Sequence, residues 1–182
     1  LSYDEEIGCT GAPPMIRAMQ EVVPKGSAAI IGEPSRMGLI TGHKGGTGYH
    51  VHVKGFEVHS SLLPYGVSAI MEGARLIDWL NAVNAETQAK APTPLAAAFR
   101  PPFTTLHVGM IQGGTAHNIT AADCRFAVEM RVVPGESIPD WEARFVARAR
   151  EIEAAMQAVR PEAAIHLDRV FGLPGLQPED PG

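Results

Sequence analysis

Four glycines, Gly42, Gly45, Gly46 and Gly48, divide this sequence into two parts with different patterning. Glycine reaches backbone conformations closed to other residues, so such a cluster reads as a hinge between domains. Before it lies a short α/β pattern. After it, strands and amphipathic helices follow in a second arrangement. The expectation is a partial α/β domain over 1–44, an α+β domain over 45–171, and the start of a return to the first domain over 172–182.

In the first part, residues 1–3 read as the end of a strand and 12–23 as a helix. Pro13 and Pro14 suit its first turn, where a missing N–H costs little. Met15, Ile16, Met19, Val22 and Val23 give it one apolar face. The run SAAIIG at 27–32 suits a strand buried on both faces. Together these make a βαβ unit, whose parallel strands end at one edge of the sheet. Ligands of open α/β sheets bind at that edge. Asp4, Glu5 and Glu6 follow the first strand and Glu33 follows the second. Carboxylates gathered there repel one another, and a divalent metal would neutralise them. Four solvated loop acids are the other reading.

In the second part, Tyr49, Val51 and Val53 alternate with His50, His52 and Lys54, as in a half-buried strand. His50 and His52 share the solvated face and lack a third ligand nearby, so no metal is expected on them. A helix is expected over 66–83, with Val67, Ile70, Ala74 and Ile77 on its core stripe. Residues 84–102 are Ala/Pro-rich and read as a loop. Residues 103–111 read as a strand. Cys124, Phe126, Val128, Met130 and Val132 alternate cleanly with polar residues, and 113–123 joins these strands as a long hairpin loop. The next helix starts at Ser137, with Pro139 in its first turn and Asp140 placed for a capping box. Trp141, Phe145, Ala149, Ile152, Met156 and Val159 form its core face. A last strand covers 164–170. From Thr47 the order is β-α-β-β-α-β, a ferredoxin-like arrangement.

Composition narrows the partners. A net charge of −5 argues against a nucleic-acid binder. No run of 18 apolar residues is present, so no membrane span is expected. Cys9 and Cys124 make no disulfide framework and are expected as small buried hydrophobes, with a cytoplasmic location. The glycine cluster lacks the GK[ST] order of a phosphate loop and the third glycine of a dinucleotide fingerprint. His59-Ser60-Ser61 lacks a nucleophile elbow. The first residue is not Met, and 173–182 is rich in Pro and Gly, so the chain reads as a piece of a longer protein.

Several ordered motifs carry a resemblance. Ser2-Tyr3-Asp4-Glu5-Glu6-Ile7-Gly8-Cys9-Thr10-Gly11-Ala12 resembles the DEExGxxGA segment of the di-zinc aminoacylase/carboxypeptidase-type metallopeptidases. Gly32-Glu33-Pro34-Ser35 is similar to their GEPT segment, and Gly42-His43-Lys44-Gly45 to their HKG segment. Glu57-Val58-His59-Ser60-Ser61-Leu62-Leu63-Pro64 resembles the HSSxP run of the family's lid domain. Gly113-Gly114-Thr115-Ala116-His117-Asn118-Ile119 resembles the lid's GGTAxNxxP loop, with Ala121 or Ala122 where proline is usual.

The family includes acetylornithine deacetylases, desuccinylases, aminoacylases and carboxypeptidases, and the first motif is most similar to the acetylornithine deacetylases. The resemblance implies two Zn2+ per active site, with Co2+ as a possible substitute. It implies an N-acyl amino acid substrate, N-acetylornithine first, in arginine biosynthesis. Succinyl-diaminopimelate, other N-acyl amino acids and dipeptides stay open. By the same resemblance Glu5 is the general base, Glu6 and Glu33 are metal ligands, and Asp4 is a supporting acid. His59 and Asn118 reach toward a partner subunit's site, and the lid makes a homodimer. Arg131 either faces the substrate carboxylate or is a solvated strand arginine. The family's remaining histidine and aspartate ligands come from segments this sequence lacks. A lid and dimerisation module without catalysis of its own, binding little zinc, is therefore the alternative for the chain as it stands.

Overall fold

The computed structural model describes residues 9–24, 26, 30, 32 and 35–177. The chain divides into two compact units, Leu1–Ile40 and Thr41–Gly182.

In the first unit the expected helix forms as α1, Ala12–Val22, with proline in its first turn. Its apolar face is exposed: Ile16, Met19, Val22 and Val23 all face solvent. Ile30, expected in a strand buried on both faces, is 98% exposed. Cys9 is exposed as well, against expectation. Among the described residues of this unit, none is buried. Residues 1–3, most of the 27–32 run, and Asp4, Glu5, Glu6 and Glu33 lie outside the described residues.

The second unit contains β1 (Gly45–Lys54), α2 (Ala69–Ala89), β2 (Thr105–Gly113), β3 (Asp123–Val132), α3 (Ile138–Gln157) and β4 (Ala164–Leu173). The four strands form one sheet in the order β2-β3-β1-β4, and every neighbouring pair is antiparallel. This is the expected ferredoxin-like topology. Tyr49, Val51 and Val53 stand opposite Val128, Phe126 and Cys124, so their alternation builds one apolar face. Both helices pack on that face, burying Leu76, Leu80, Phe145, Ile152 and Met156 against it. His50, His52, Arg125, Glu129 and Arg131 fall on the other, open face by register.

Three of the glycines expected in a hinge lie inside β1. They are there for room. A Cβ on Gly48 would sit 2.3 Å from the Phe171 ring, and one on Gly46 would sit 3.2 Å from it. A register shift opposite Gly48/Tyr49 in the β1–β4 pairing puts Phe171 over this bare patch. β4 accordingly runs to Leu173, beyond the expected end at Val170. Past it, His43 and Leu176 exchange backbone bonds of 2.9 and 3.0 Å.

α2 differs from expectation in two ways. It begins at Ala69 and continues to Ala89, through residues read as loop. Its end is clamped to β2: the Asn84 side-chain amide donates to Leu106 O at 2.7 Å and accepts from Leu106 N–H at 2.8 Å. Thr87 Oγ donates to Thr104 O at 3.0 Å. The buried stripe is Ala69, Gly73, Leu76, Leu80, Val83 and Thr87, about one position round from the expected one. Ile70 is 40% exposed and Ala74 is exposed as well. The first turns are apolar on nearly every side, so their period does not choose a face. Gly73 then decides it, letting Phe126 and Cys124 approach within 3.2 and 3.4 Å of a Cβ position.

α3 follows its expected pattern. Ser137 caps it by accepting from Asp140 N–H at 3.3 Å. Trp141, Phe145, Ala149, Ile152 and Met156 are buried, while Val159, past the helix end, is 47% exposed.

Candidate functional site at the His59–Asn118 corner

Beyond β1 the chain does not turn at once. Residues 55–60 run between two partners. On one side Phe56 exchanges backbone bonds with Val67, at 2.8 and 3.0 Å. On the other, Gly55 N–H donates to Ala122 O at 2.7 Å, Thr120 N–H to Val58 O at 2.9 Å, and Ser60 N–H to Asn118 O at 2.8 Å. This ladder places His59 opposite Ile119. The two lid residues singled out in the sequence, His59 and Asn118, thus share one corner, and both are exposed.

A residue that sequence reasoning missed locks the corner. Thr120 is 5% exposed. Its hydroxyl donates to Phe56 O at 2.8 Å and accepts from Val58 N–H at 2.8 Å. One side chain therefore stitches the 113–123 loop to the histidine-bearing stretch. Gly55 has a matching reason: a Cβ there would lie 2.1 Å from Val67 O and 2.7 Å from Ala121 O. Ala121, one of the two residues standing where the resembled motif has proline, is buried, and its carbonyl accepts from Ala69 N–H at 2.8 Å.

His59 caps the short, kinked 3-10 segment Ser60–Tyr65. Its Nδ1 accepts from Ser61 N–H at 3.2 Å and lies 2.8 Å from Ser61 Oγ. An accepting Nδ1 leaves Nε2 as the ring's N–H donor. The signal for this was in the sequence, as a serine two residues after the histidine. Asn118 stands one position along, opposite Ser60, to which its backbone carbonyl is bonded. An N–H donor in a fixed position can stabilise negative charge developing on a carbonyl oxygen.

Arg131 is not brought to this corner. It lies eight residues along β3 from Asp123, roughly 25 Å at strand spacing. Glu129 pairs with it on the open face, and both side chains are well exposed. His52, on the open face, is held by Asp123, with Nε2 to Oδ1 at 2.5 Å, and its ring lies 5.9 Å from that of His166.

Glu5, Glu6 and Glu33, expected as base and zinc ligands, lie outside the described residues. Among the described residues no three His, Cys, Asp or Glu side chains converge as a metal ion requires. The described residues therefore do not fit a zinc centre. No helix among them is long and apolar enough to cross a membrane.

Comparison with known proteins gives the family and the fold. The profile of the peptidase dimerisation domain, M20 type, matches residues 41–157. An acetylornithine deacetylase of Myxococcus xanthus is 33% identical over 174 residues, covering 91% of this chain and 44% of that protein. A probable carboxypeptidase of Aspergillus terreus is 29% identical, covering 97% of this chain and 39% of that protein. The chain thus spans less than half the length of these curated relatives. In fold, it is similar to an amidase of the hydantoinase/carbamoylase family from Burkholderia multivorans, with a TM-score of 0.61 and 20% identity. That match covers 78% of this chain and 30% of the other. A tripeptidase from Staphylococcus aureus has a TM-score of 0.51 at 19% identity, covering 79% of this chain and 33% of the other. By the family profile spanning β1 to α3, this chain belongs to the M20-type peptidase dimerisation domain family.

Proposed function

We propose that this chain is the lid and dimerisation part of a zinc-dependent amidohydrolase that cleaves the amide bond of an N-acyl amino acid, with N-acetylornithine as the substrate and ornithine and acetate as products. The observation that carries the reading is the corner itself. A backbone ladder sets the histidine-bearing stretch beside the loop that carries Asn118, and Ser61 N–H donates to His59 Nδ1, which leaves Nε2 to donate. Such donors would suit the oxygen of a tetrahedral intermediate. The acidic residues outside the described range complete the proposal: Glu5 as base, Glu6 and Glu33 as metal ligands. For Arg131, the ion pair with Glu129 favours the solvated strand arginine over a substrate contact.

The chain on its own is proposed to act as a dimerisation module without catalysis, which the family match favours. The two sheet edges differ in their fitness to pair. β4, AIHLDRVFGL, carries Asp168 and Arg169, and charge on an edge resists pairing. β2, TLHVGMIQG, carries no acidic or strongly basic residue. Met110 is 72% and Ile111 57% exposed on it, while Ile70 and Met71 of α2 are also exposed. We therefore place the homodimer contact on the β2 edge. Light scattering on the eluting chain tests this. The expected mass is twice 19.4 kDa, with Met110→Lys reverting to the single mass. Zinc analysis after dialysis, with N-acetylornithine hydrolysis assayed on the same sample, tests the division of labour. The expected result is little zinc and no turnover. Near-stoichiometric zinc with turnover would mean that this chain holds a complete site.

A further inference from the structure

The stretch that carries His59 is one arm of a loop. Phe56 and Val67 pair at its neck, and residues 57–66 run between them. The outgoing arm, 57–60, is held from outside by the Thr120 hydroxyl and by Asn118 O. The return arm, 61–66, is built differently. Its backbone bonds stay inside the loop: Leu62 N–H donates to His59 O at 2.8 Å and Gly66 N–H to Leu63 O at 3.1 Å. Leu62 departs from helical geometry, with φ −106° and ψ 21°, and residues 61–65 are exposed. A short 3-10 turn with a kink has poor hydrogen-bond geometry and little strength of its own. Among the described residues, one hydrogen bond reaches this arm from outside the loop. Arg160 Nε–H donates to Tyr65 O at 2.7 Å.

Arg160 reaches the loop from a braced turn between α3 and β4. Its own N–H donates to Met156 O at 2.9 Å, and its carbonyl accepts from Ala163 N–H at 3.0 Å. The Gln157 side chain donates to Ala163 O at 3.0 Å across the same turn. The guanidinium carbon lies 3.9 Å from the centroid of the Phe56 ring. The cation therefore sits over the neck of the loop while its Nε–H takes the far end of the return arm. Among the described residues Arg160 forms no ion pair, so its charge serves the aromatic ring and the carbonyl rather than a carboxylate.

We infer that Arg160 is a positioning residue for His59. The return arm begins at Ser61, whose N–H donates to His59 Nδ1 at 3.2 Å and whose hydroxyl lies 2.8 Å from the same nitrogen. That contact decides which ring nitrogen donates, and it holds only while Ser61 stays in place. By joining the Phe56 ring to Tyr65 O, Arg160 takes away the arm's freedom to swing or fray. It acts through the arm and not on a reacting atom. Without the guanidinium, the arm loosens and the ring samples both tautomers. The catalytic consequence rests on the amidohydrolase reading above, in which His59 is the donor.

The test begins with NMR of the unmodified 182-residue chain. An exchange-protected Arg160 Nε–H with cross-peaks to the Phe56 ring is expected, together with a neutral His59 ring held as the Nε2–H tautomer. Absence of either overturns the inference, and no variant that misfolds affects this measurement. Arg160→Gln should then speed amide exchange at Ser61, Leu62 and Gly66 by at least about tenfold, from the loss of a hydrogen bond with a charged donor. It should also bring the two His59 nitrogens to shifts averaged between tautomers. The Ser60 and Thr120 amides, held by Asn118 O and Val58 O, should keep their rates. Arg150→Gln, which removes a guanidinium bonded to Ile165 O, should leave the loop unchanged. A rise spread evenly over the whole unit would mark a general loss of stability and overturn the positioning role. In the full-length protein, Arg160→Gln should lower kcat by about tenfold with KM within about twofold. Unchanged kcat in Arg160→Gln, beside a loss in His59→Ala, would overturn this inference alone. Unchanged kcat in His59→Ala would overturn the reading of His59 on which it rests.

Discussion

At the scale of single residues, the corner depends on side chains that make two backbone bonds at once. Thr120 is the clearest case, since its hydroxyl serves both Phe56 O and Val58 N–H while nearly fully buried. Thr120→Val keeps the shape and removes both bonds. It should cost about 1–3 kcal/mol of stability, because two backbone groups lose their partner in a dry site. Urea unfolding measures this, and an unchanged midpoint would show that water replaces the hydroxyl. Nothing in the sequence announced Thr120, since its partners lie more than sixty residues away along the chain. His59 and Asn118 were named because each sits in a recognisable run of residues, and their role is a proposal. In the full-length protein, His59→Ala should lower kcat by roughly 10²–10³ with a smaller change in KM, the pattern of a donor used in the transition state. Equal loss in Ser61→Ala would show that orientation of the ring depends on the serine hydroxyl rather than on its backbone N–H.

At the scale of elements, strands and helices with a single buried face were the most readable. The alternation of β3 and the spacing of α3 leave one way to face a core, and the structure follows both. β1 was harder. Its glycines carry the same letter whether they bend the chain or admit an aromatic ring, and Phe171, which uses the space, comes far later in sequence. α2 has more apolar residues than one stripe needs, so its face is chosen by Gly73 and by the clamp at Asn84. The α3–α2–sheet core has Phe145 near its centre, fully buried and in ring contact with Tyr49 at 5.3 Å and Trp79 at 6.5 Å. Phe145→Ala should therefore destabilise by about 3–5 kcal/mol. A cost under about 1 kcal/mol, read from the unfolding midpoint, would mean that the helices collapse onto the gap.

The joint between α3 and β4 is polar and should respond to pH. Burial pushes the Glu142 carboxyl up, but hydrogen bonds from Thr47 at 2.5 Å and Arg169 at 2.6 Å, with the guanidinium charge, hold it below its ordinary 4.5. Burial acts on Glu153 in the same way, and the Ile165 N–H at 2.7 Å with Arg150 again brings it below 4.5. A carboxyl depressed in the folded state binds fewer protons there than in the unfolded chain. Its contribution is present in full above about 4.5 and is lost as pH falls through the lower folded value. Thermal melts should therefore show stability falling on acidification below about 4.5, and Glu142→Gln should flatten that slope. An identical acid slope in the variant would assign the effect to other carboxyls.

At the scale of the whole molecule, the sequence supplied the β-α-β-β-α-β order. It did not supply which sheet edge is open to a partner, because edge position is decided only when all four strands have paired. Once the order β2-β3-β1-β4 is known, the contrast between an uncharged β2 and a charged β4 follows. The acidic residues of the first unit remain a proposal from resemblance, since they fall outside the described residues. The most direct measurement is therefore the solution mass of the chain by sedimentation equilibrium, across a concentration series and beside Met110→Lys. The prediction is a concentration-dependent dimer of twice 19.4 kDa that the lysine on the β2 edge returns to monomer. A monomer at every concentration would contradict the dimerisation role, and a dimer indifferent to the lysine would move the contact away from β2.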